Sequence, residues 1–461
     1  MTELVPRGYQ SVALHDLAAA WRHLRARALP PRILLVSRTG TGKTVVAGMF
    51  LAGVRRRGRR AAFIVREKAL IPQTSKHLTR IGIEHGVVAA GYPASPSAPA
   101  QLCSAQTLTS RGEAPEADVL VFDETETILC ETSMRIVSAY PNAECILGLT
   151  ATPERGDGRP LGDFYKALVQ VKATFEELVG LEALVPVTVL RPGGGKPSRD
   201  LAEDPIVSLR RFAPRGQKKP VIFASSRPLA LELAERAAGI GYRSARVDGE
   251  TKEREREDSL ARFQLPASHP DALDLLTTVK ALERGWDCPP ADVGILARGF
   301  STWGTFIQAC GRFLRPHPGK ARALIVDLKG SVYIHGLPDE DRVFSLSESE
   351  TERGKKEQLG ALTTCKSCGA VFRCAELCPR CGVAAPPRPP PRVTPDDLSS
   401  ETRIVPRLEK AATWVALQRL AFAKGHKIGW AIAIYKHKYG HHPHHTKEEM
   451  ALARSAPRRG A

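Results

Sequence analysis

A glycine-rich stretch at residues 37–44, SRTGTGKT, has the residue types that bind phosphate groups. It follows the apolar run 32–36 and precedes an apolar stretch with a helical pattern, which is the strand, turn and helix that a P-loop needs. Backbone N–H groups of the loop and of the helix N-terminus would attract phosphates. Lys43 would reach the β- and γ-phosphates and Thr44 would bind Mg²⁺, so this stretch predicts an ATP site and not a chance glycine turn.

A pair of carboxylates ends a second apolar run, in the sequence VLVFDE. Asp123 would hold Mg²⁺, and Glu124 would orient the attacking water in ATP hydrolysis. Two acids at the end of a strand can equally be solvated surface residues. The P-loop upstream favours the catalytic interpretation, because a P-loop ATPase needs such a partner.

Two CxxC pairs form a third chemical cluster, within CKSCGAVFRCAELCPRCG. Cys365, Cys368, Cys378 and Cys381 have the spacing of a tetrahedral Zn²⁺ site, and a glycine follows each pair. Four cysteine ligands leave no open position, which predicts a structural site in a small zinc ribbon. Cys374 is a fifth thiol, which we interpret as a spare. The ribbon could grip DNA or dock a partner protein.

Two series of short apolar runs, separated by longer amphipathic stretches, must position these groups. Non-alternating strands between helices are typical of parallel sheets covered on both faces, so the predicted fold class is α/β with two tandem domains. Strands are predicted at residues 32–36, 61–65, 119–122, 145–149, 221–224, 245–247, 273–278, 293–297 and 323–326. The predicted units are two α/β domains (1–185 and 186–345), a linker (346–360), the zinc ribbon (361–385), a Pro-rich linker (386–400) and a basic C-terminal segment (401–461) with helices at 407–424 and 429–439.

The chain is strongly basic, with a formal net charge of +18 and a pI of about 9.6. Such an excess attracts polyanions, and nucleic acid is the usual one, although an arginine-rich genome composition would give the same balance. No apolar run reaches the roughly 20 residues of a membrane span, and the N-terminus shows no secretory pattern. The five cysteines outside the cluster are typical of a reducing compartment. We therefore expect a cytoplasmic protein that binds nucleic acid and no membrane.

Six motifs occur in the order found in superfamily 2 helicases, and the chain resembles that family over nearly all of both α/β domains. The counterparts of its motifs I to VI are SRTGTGKT (37–44), DETE (123–126), TATP (150–153), VIFASS (221–226), ALERGWDCP (281–289) and QACGRFLRP (308–316). Tyr9 and Gln10 resemble the family's adenine-reading Q element. The resemblance implies two RecA-like domains with ATP in the cleft between them.

The resemblance also assigns roles to side chains of motifs III and VI. Arg312 and Arg315 would act as arginine fingers on the γ-phosphate, and Gln308 would help to place the water or the phosphate. Thr150 and Thr152 would couple the ATP state to the grip on nucleic acid. The residues expected to bind the nucleotide are Tyr9, Gln10, Thr39, Gly40, Thr41, Gly42, Lys43, Thr44, Gly285 and Asp287.

Contacts to a nucleic-acid strand are expected mainly at its phosphate groups, so the protein should have only a weak preference for base sequence. Candidates implied by the resemblance are Arg66, Thr107, Ser226 and Thr278, with ordinary loop residues as the alternative interpretation.

Two differences from the motifs of DEAD- and DEAH-type members indicate which group of the family this chain resembles. Motif II ends in Glu126, where DEAD- and DEAH-type members carry Asp or His. Motif V has Val279 where DEAD-box proteins have Thr, and Thr278 is the nearer candidate for a phosphate contact. These features point away from DEAD-box RNA helicases. The chain more closely resembles DNA-directed helicases of the restriction-enzyme-motor type, including phage-encoded ones, and a bacterial or phage-infected cytoplasm is expected.

The C-terminal segment offers two further patterns. Residues 430–440, WAIAIYKHKYG, resemble a segment of phage-type members and could stack on bases or pack on the second α/β domain. The cluster HHPHH at residues 441–445 is interpreted as a solvated loop and not as a metal site.

We expect an ATP-dependent DNA helicase or translocase that uses ATP, Mg²⁺ and Zn²⁺. The alternatives are an RNA helicase and an ATP-switched DNA-binding or loading factor with little turnover. Glu124 together with Gln308, Arg312 and Arg315 favours real turnover. The chain could also be the motor half of a restriction or repair complex, in which case any cutting would need a partner.

Overall fold

Short apolar runs form the strands of two sheets in the computed structural model of this protein. The structure describes residues 6–66, 68–112, 114–156, 160–193, 200–279, 288–347, 362–373, 375–384, 404–423, 426, 428–439 and 443. The chain folds as two units, Met1–Pro386 and Pro387–Ala461. The first unit contains both sheets and the four-cysteine cluster.

The first domain is built on a parallel sheet of seven strands. These are β1 (Arg32–Val36), β2 (Ala61–Val65), β3 (Gly86–Val88), β4 (Ala100–Ser104), β5 (Val119–Phe122), β6 (Cys145–Thr150) and β7 (Ala167–Gln170), in the order β3-β4-β2-β5-β6-β1-β7. Its helices are α1 (Gly8–Ala26), α2 (Lys43–Arg55), α3 (Ile71–Arg80), α4 (Ala105–Arg111), α5 (Glu131–Ser138) and α6 (Phe175–Gly180). Since the carboxyl ends of parallel strands meet at one edge, the loops after β1, β5 and β6 lie side by side there.

The second domain repeats this design with six parallel strands. These are β8 (Val187–Leu190), β9 (Pro220–Ala224), β10 (Ser244–Arg246), β11 (Leu275–Thr278), β12 (Val293–Ala297) and β13 (Ala323–Asp327), in the order β10-β11-β9-β12-β13-β8. Its helices are α7 (Pro205–Phe212), α8 (Arg227–Gly239), α9 (Glu253–Gln264), α10 (Trp303–Gly311) and α11 (Val332–His335). The predicted fold class, two tandem parallel-sheet domains, is confirmed.

The cysteine-rich segment continues the second sheet. Its strands β14 (Leu362–Thr364) and β15 (Ala370–Arg373) form an antiparallel hairpin, and β15 pairs antiparallel with β8. The buried side chains of Cys365 and Cys378 belong to the same hydrophobic cluster as Leu190 of β8. The ribbon therefore covers a sheet edge that β8 would otherwise expose.

A strap, residues 336–347, runs from the end of the second domain back over the first. Gln170 at the end of β7 holds it at two points: Nε2 donates to the carbonyl oxygen of Arg342 (2.5 Å), and Oε1 accepts from the N–H of Phe344 (3.0 Å). Phe344 and Leu346 pack against the hydrophobic core of the first domain. The strap thus joins the two domains at a second place, away from the direct chain connection.

The C-terminal unit contains two helices, α12 (Ile404–Ala423) and α13 (Ile428–Tyr439). They pack through a small cluster in which the rings of Trp414 and Tyr435 lie 5.7 Å apart. Ala431 and Tyr435, from the segment compared with phage-type members, are buried in this cluster. Apart from Pro443, the histidine cluster at residues 441–445 lies outside the described residues. No helix within the described ranges is long and apolar enough to cross a membrane.

Candidate active site

Two glycines with positive φ angles shape the P-loop. Gly40 and Gly42 have φ values of +87° and +86°, and α2 begins directly after the second. The loop is braced from within: the hydroxyls of Ser37 and Thr41 are 2.5 Å apart, and Thr41 Oγ1 donates to the carbonyl oxygen of Arg38 (2.7 Å). Because the first turn of a helix presents N–H groups that lack intrahelical partners, this loop and α2 together suit a phosphate group.

The start of α1 is fastened to the same loop. The Tyr9 hydroxyl and Gln10 Nε2 both donate to the carbonyl oxygen of Thr41, at 3.0 and 3.3 Å. Gln10 Oε1 accepts from the N–H of Arg7 (3.0 Å). A Cβ at Gly42 would lie only 2.6 Å from Gln10 Nε2, so a larger residue would displace that side chain, and the φ of +86° favours glycine at this position in any case. The predicted Q element and P-loop are therefore in direct contact.

The acidic pair lies at the floor of the cleft beyond β5. Glu124 has a left-handed backbone with φ of +47°, a conformation that is uncommon for residues other than glycine and that often occurs at functional sites. Its N–H donates to Asp123 Oδ1 (3.0 Å). Burial, followed by the negative charge of Glu124, raises the pKa of Asp123 to about 6, against the opposing effect of Lys43 and Arg312. A cation bound here would favour the ionised form of Asp123.

The P-loop and the acidic pair face the second domain across a cleft of about 550 Å³. Arg312 and Arg315, which follow α10, line the opposite wall. Arg315 lies directly over the loop, because a Cβ at Gly40 would be 3.4 Å from Arg315 Cγ. The sequence-predicted residues that line the cleft are Tyr9, Gln10, Thr39, Gly40, Thr41, Gly42, Lys43, Thr44, Asp123, Glu124, Arg312 and Arg315.

Three polar residues of α3, Gln73, Thr74 and His77, also line the cleft and were missed by sequence reasoning. They belong to no recognisable motif. Their one signal is the helical spacing that puts them on one face of α3, and this spacing does not distinguish a binding face from an ordinary surface.

Gln308 lies in a buried network between the domains and not among the cleft-lining residues. Its Nε2 donates to Glu126 Oε1 (2.5 Å) and to Thr152 Oγ1 (3.2 Å). The other oxygen of Glu126 accepts from the Thr150 hydroxyl (3.1 Å). Motifs II, III and VI are therefore hydrogen-bonded to one another through Glu126, the residue at which the sequence departs from DEAD- and DEAH-type members. The structure places Gln308 in contact with Glu126 and Thr152, and its predicted part in placing the water or the phosphate stays a prediction.

Two further contacts of α10 with the first domain were not predicted. The N–H of Gly304, in the first turn of α10, donates to Oε1 of the buried Glu154 (2.9 Å). At the other end of the helix, a Cβ at Gly311 would lie 2.7 Å from Thr39 Cβ in the P-loop. Glycines at both ends thus let α10 lie close against the first domain, and the helix carries Arg312 into the cleft.

The four candidate contacts to a nucleic-acid strand differ in their solvent exposure. Arg66 and Ser226 are exposed, and Ser226 Oγ caps α8 by accepting from the N–H of Leu229 (3.4 Å). Thr107 is buried, and Thr278 has no exposed surface. In this conformation the last two lie inside the domains, and the proposed contacts of all four residues with nucleic acid stay predictions. Gly285 and Asp287 of motif V lie outside the described residues.

The four cysteine sulfurs form a compact cluster. All Sγ atoms lie within 4.8 Å of one another, and the Cys365–Cys381 and Cys368–Cys378 distances are both 3.6 Å. These separations fit a Zn²⁺ ion with Zn–S bonds of about 2.3 Å, since the edges of such a tetrahedron are roughly 3.8 Å. The predicted ligands therefore come together as a set that can hold zinc. Cys374 lies outside the described residues.

The two halves of the cluster have the same backbone turn. Gly369 N–H donates to the carbonyl oxygen of Cys365, and Gly382 N–H donates to that of Cys378, both at 2.9 Å. The two glycines have φ values of +73° and +70°. A positive φ at this position explains why glycine follows each CxxC pair.

Two parallel sheets in tandem, with a P-loop and acidic pair facing two arginines, define a P-loop ATPase of the double RecA-like class. Residues 3–155 match the family model of the type III restriction enzyme res subunit, and residues 207–317 match that of the helicase conserved C-terminal domain. The chain is therefore a superfamily 2 helicase-type, ATP-hydrolysing enzyme of the restriction-enzyme-motor type.

Solved structures share this fold. The chain is similar to a fragment of a putative HsdR subunit of a type I restriction enzyme from Vibrio vulnificus YJ016, with a TM-score of 0.53 and 22% identity over 73% of this chain and 68% of that one. It is also similar to the ATP-dependent type ISP restriction-modification enzyme LlaBIII bound to DNA, with a TM-score of 0.52 and 15% identity over 70% of this chain. The match spans only 28% of the LlaBIII chain. No curated protein matches the chain.

Proposed function

We propose that the protein is a DNA-stimulated ATPase that moves along DNA and unwinds or remodels duplexes. The observation that carries the proposal is the interdomain cleft, in which Lys43, Asp123 and Glu124 of the first domain face Arg312 and Arg315 of the second. A nucleotide that bridges these two walls would bind tightly only when the domains are closed. ATP hydrolysis can therefore drive domain movement.

The residues divide the chemistry of hydrolysis between the two domains. P-loop N–H groups and Lys43 would hold the β- and γ-phosphates, and Glu124 would orient the attacking water. Thr44 and Asp123 would hold Mg²⁺, which offsets phosphate charge when bound. Arg312 and Arg315 would stabilise the charge that develops on the γ-phosphate. Loss of the γ-phosphate would remove the anion that holds both arginines, and the cleft would open.

The buried contacts of α10 would carry this change to the nucleic-acid surface. Gln308 joins Glu126 of motif II to Thr152 of motif III, and Glu154 binds the start of the same helix. Movement of α10 during cleft opening must break or shift these hydrogen bonds. Arg66 and Ser226, which are exposed on the two domains, are the candidate strand contacts that would shift relative to each other.

Three observations support DNA as the partner. The first domain matches a restriction-enzyme family, and one structural neighbour was solved bound to DNA. The net charge of +18 suits a polyanion, and phosphate contacts would give sequence-tolerant binding. A restriction-type motor also works in a bacterial or phage-infected cytoplasm, where a structural Zn²⁺ site of four reduced cysteines is stable.

The test is the steady-state ATPase rate with no nucleic acid, single-stranded DNA, forked DNA, duplex DNA and RNA at fixed low salt, with Lys43→Ala as the control for contaminating ATPase. Strong stimulation by DNA and weak stimulation by RNA is the expected result. Stronger stimulation by RNA would identify an RNA helicase instead. A rate that no nucleic acid changes would favour the loading factor.

A further inference from the structure

We propose that the zinc ribbon positions the P-loop, acting through Arg373, Glu340 and Arg38, so that metal occupancy sets nucleotide affinity. The proposal rests on the ATP-binding role proposed above for the P-loop. It assigns the ribbon a task inside the motor, in addition to any contact with DNA or a partner protein.

The first step is the fixed placement of the ribbon on the second domain. Strand β15 pairs with β8 through Ala370 opposite Leu190. One residue earlier, the carbonyl oxygen of Gly369 accepts from the N–H of Arg191 (2.7 Å). Gly369 is also the turn residue of the first cysteine pair. The backbone that would wrap around zinc is therefore continuous with the sheet.

The second step joins the ribbon to the strap. Arg373, at the end of β15, contacts Glu340 Oε1 through Nε (2.7 Å) and Nη2 (2.6 Å). Glu340 Oε2 in turn accepts from Arg342 Nη2 (2.9 Å). The Glu340 side chain is only 15% exposed. Because this carboxylate is partly buried, its ion pairs are screened less than surface pairs and can hold the strap in place.

The third step joins the strap to the P-loop. Arg38, the second residue of SRTGTGKT, donates to the backbone oxygens of Glu340 and Pro338, the latter at 3.1 Å. It also pairs with Asp341 Oδ1 (2.7 Å). The Arg38 carbonyl oxygen accepts from Thr41 Oγ1 within the loop. Displacement of the strap would therefore be transmitted directly to the phosphate-binding backbone.

A second route holds the root of the strap. The carboxylate of Asp327 accepts from the N–H groups of Gly330 (2.9 Å) and Val332 (2.8 Å), which fixes the start of α11. The carbonyl oxygen of Asp327 accepts from Arg191 Nη1 (3.1 Å), the same arginine that Gly369 holds. The Tyr333 hydroxyl of α11 also bonds to Thr364 of β14. The ribbon thus fixes both the root and the middle of the strap.

The test is a double-mutant cycle on the full chain, with equilibrium binding of a fluorescent ATP analogue as the readout. The variants are Arg373→Gln, Arg38→Met and the two combined. The control is Arg236→Gln in α8, an arginine that is 41% exposed against 36% for Arg373 and that pairs with Asp204 (2.7 Å) and Glu232 (3.2 Å), neither of which belongs to the strap. Arg373→Gln should weaken binding about three- to fivefold, the upper part of the range for a single ion pair, because Glu340 is only 15% exposed. In the Arg38→Met background it should add little, because both changes break one connection.

A second arm removes zinc from the full chain with a chelator while following both zinc release and thermal stability. Nucleotide affinity should fall at least as far as in Arg373→Gln, and zinc addition should restore it. Additive effects in the cycle, equal weakening by Arg236→Gln, or unchanged affinity of the zinc-free chain would each overturn the proposal. If the wild-type chain does not bind the analogue at all, the ATP-site assignment itself fails, which distinguishes that outcome from failure of the ribbon coupling alone.

Discussion

Replacement of Gly311 by alanine should prevent the two domains from closing fully. A Cβ at this position lies 2.7 Å from Thr39 Cβ, 3.0 Å from its Oγ1 and 3.1 Å from its Cγ2. Non-bonded carbon atoms rest about 3.5–4.0 Å apart, so α10 and the P-loop would have to separate by roughly 1 Å. Both residues are buried, and the closest atom is Thr39 Cβ, which cannot move aside by a rotamer change because it is attached directly to the loop backbone.

The expected cost follows from this overlap. Forcing one extra carbon into a packed contact costs about 1–3 kcal/mol. Since the overlap exists only when the cleft is closed, the cost falls on the state that brings Arg312 to the nucleotide. The value of kcat/KM for ATP should therefore fall about 5- to 150-fold. The helix itself should not weaken, because alanine favours a helix by about 1 kcal/mol over glycine.

The assay compares nucleic-acid-stimulated ATPase kinetics of the wild type, Gly311→Ala and Gly299→Ala, with melting temperatures measured in parallel. A Cβ at Gly299, which is exposed before α10, would meet open space. The control should therefore keep wild-type kinetics. Wild-type kcat/KM in Gly311→Ala would refute the claim that this interface closes during catalysis, and an equal loss in both variants would point to a general effect on the α10 region.

Four other changes probe the same site. Lys43→Ala should abolish ATP hydrolysis, and normal turnover would contradict the P-loop assignment. Arg312→Ala should leave nucleotide affinity within a fewfold while removing most turnover, so a pure binding defect would contradict the finger role. Asp123→Asn should abolish turnover yet stabilise the nucleotide-free protein. The pKa of the Asp123 carboxyl is raised to about 6 in the folded state, against about 4 in the unfolded chain. The wild type therefore loses folding free energy, by at most about 3 kcal/mol, as pH rises from about 4 through 6. The melting-temperature gain should thus grow between pH 5 and pH 7.5, and a constant gain would contradict this reasoning. Glu154→Ala should lower the stimulated turnover rate by raising its activation free energy by about 1–3 kcal/mol, because the change leaves the buried Gly304 N–H without its acceptor. Glu154→Gln keeps an acceptor oxygen and should lower the rate less. Equal effects of the two variants would indicate that the charge of Glu154 matters and not its hydrogen bond.

The strands predicted closest to their observed bounds are mostly apolar runs, whereas the predicted ranges 245–247 and 273–278, which contain polar residues, are displaced from the observed Ser244–Arg246 and Leu275–Thr278. Buried strands such as β5 and β12 carry only apolar residues and glycine, and each was predicted at its observed bounds. Strands β7 and β8 are partly exposed and contain polar residues, and β3 has three residues. Patterns this short or this mixed do not differ from those of loops. Their places in the sheets are decided by neighbouring strands and not by local composition.

The candidate site divides in a similar way. The residues proposed to bind phosphate or Mg²⁺ belong to contiguous sequence motifs, so Lys43 and Asp123 could be identified from the sequence. Arg38, Glu154 and Glu340 could not, since each acts through a partner far away in the chain, up to 302 residues for the Arg38 and Glu340 pair. No single sequence marks such pairs. The burial of Thr278 likewise depends on packing that motif resemblance does not supply.

Translocation can be measured most directly by displacement of a third strand from a DNA duplex, with ATP, with ADP and with the Lys43→Ala variant. A motor driven by the interdomain cleft should displace the third strand with ATP but not with ADP or in the Lys43→Ala variant. In Gly311→Ala the displacement rate should fall by the same factor as the ATP turnover rate. DNA-stimulated ATP hydrolysis without any strand displacement, on triplex or forked DNA, would contradict the central claim that this chain converts cleft closure into movement along DNA.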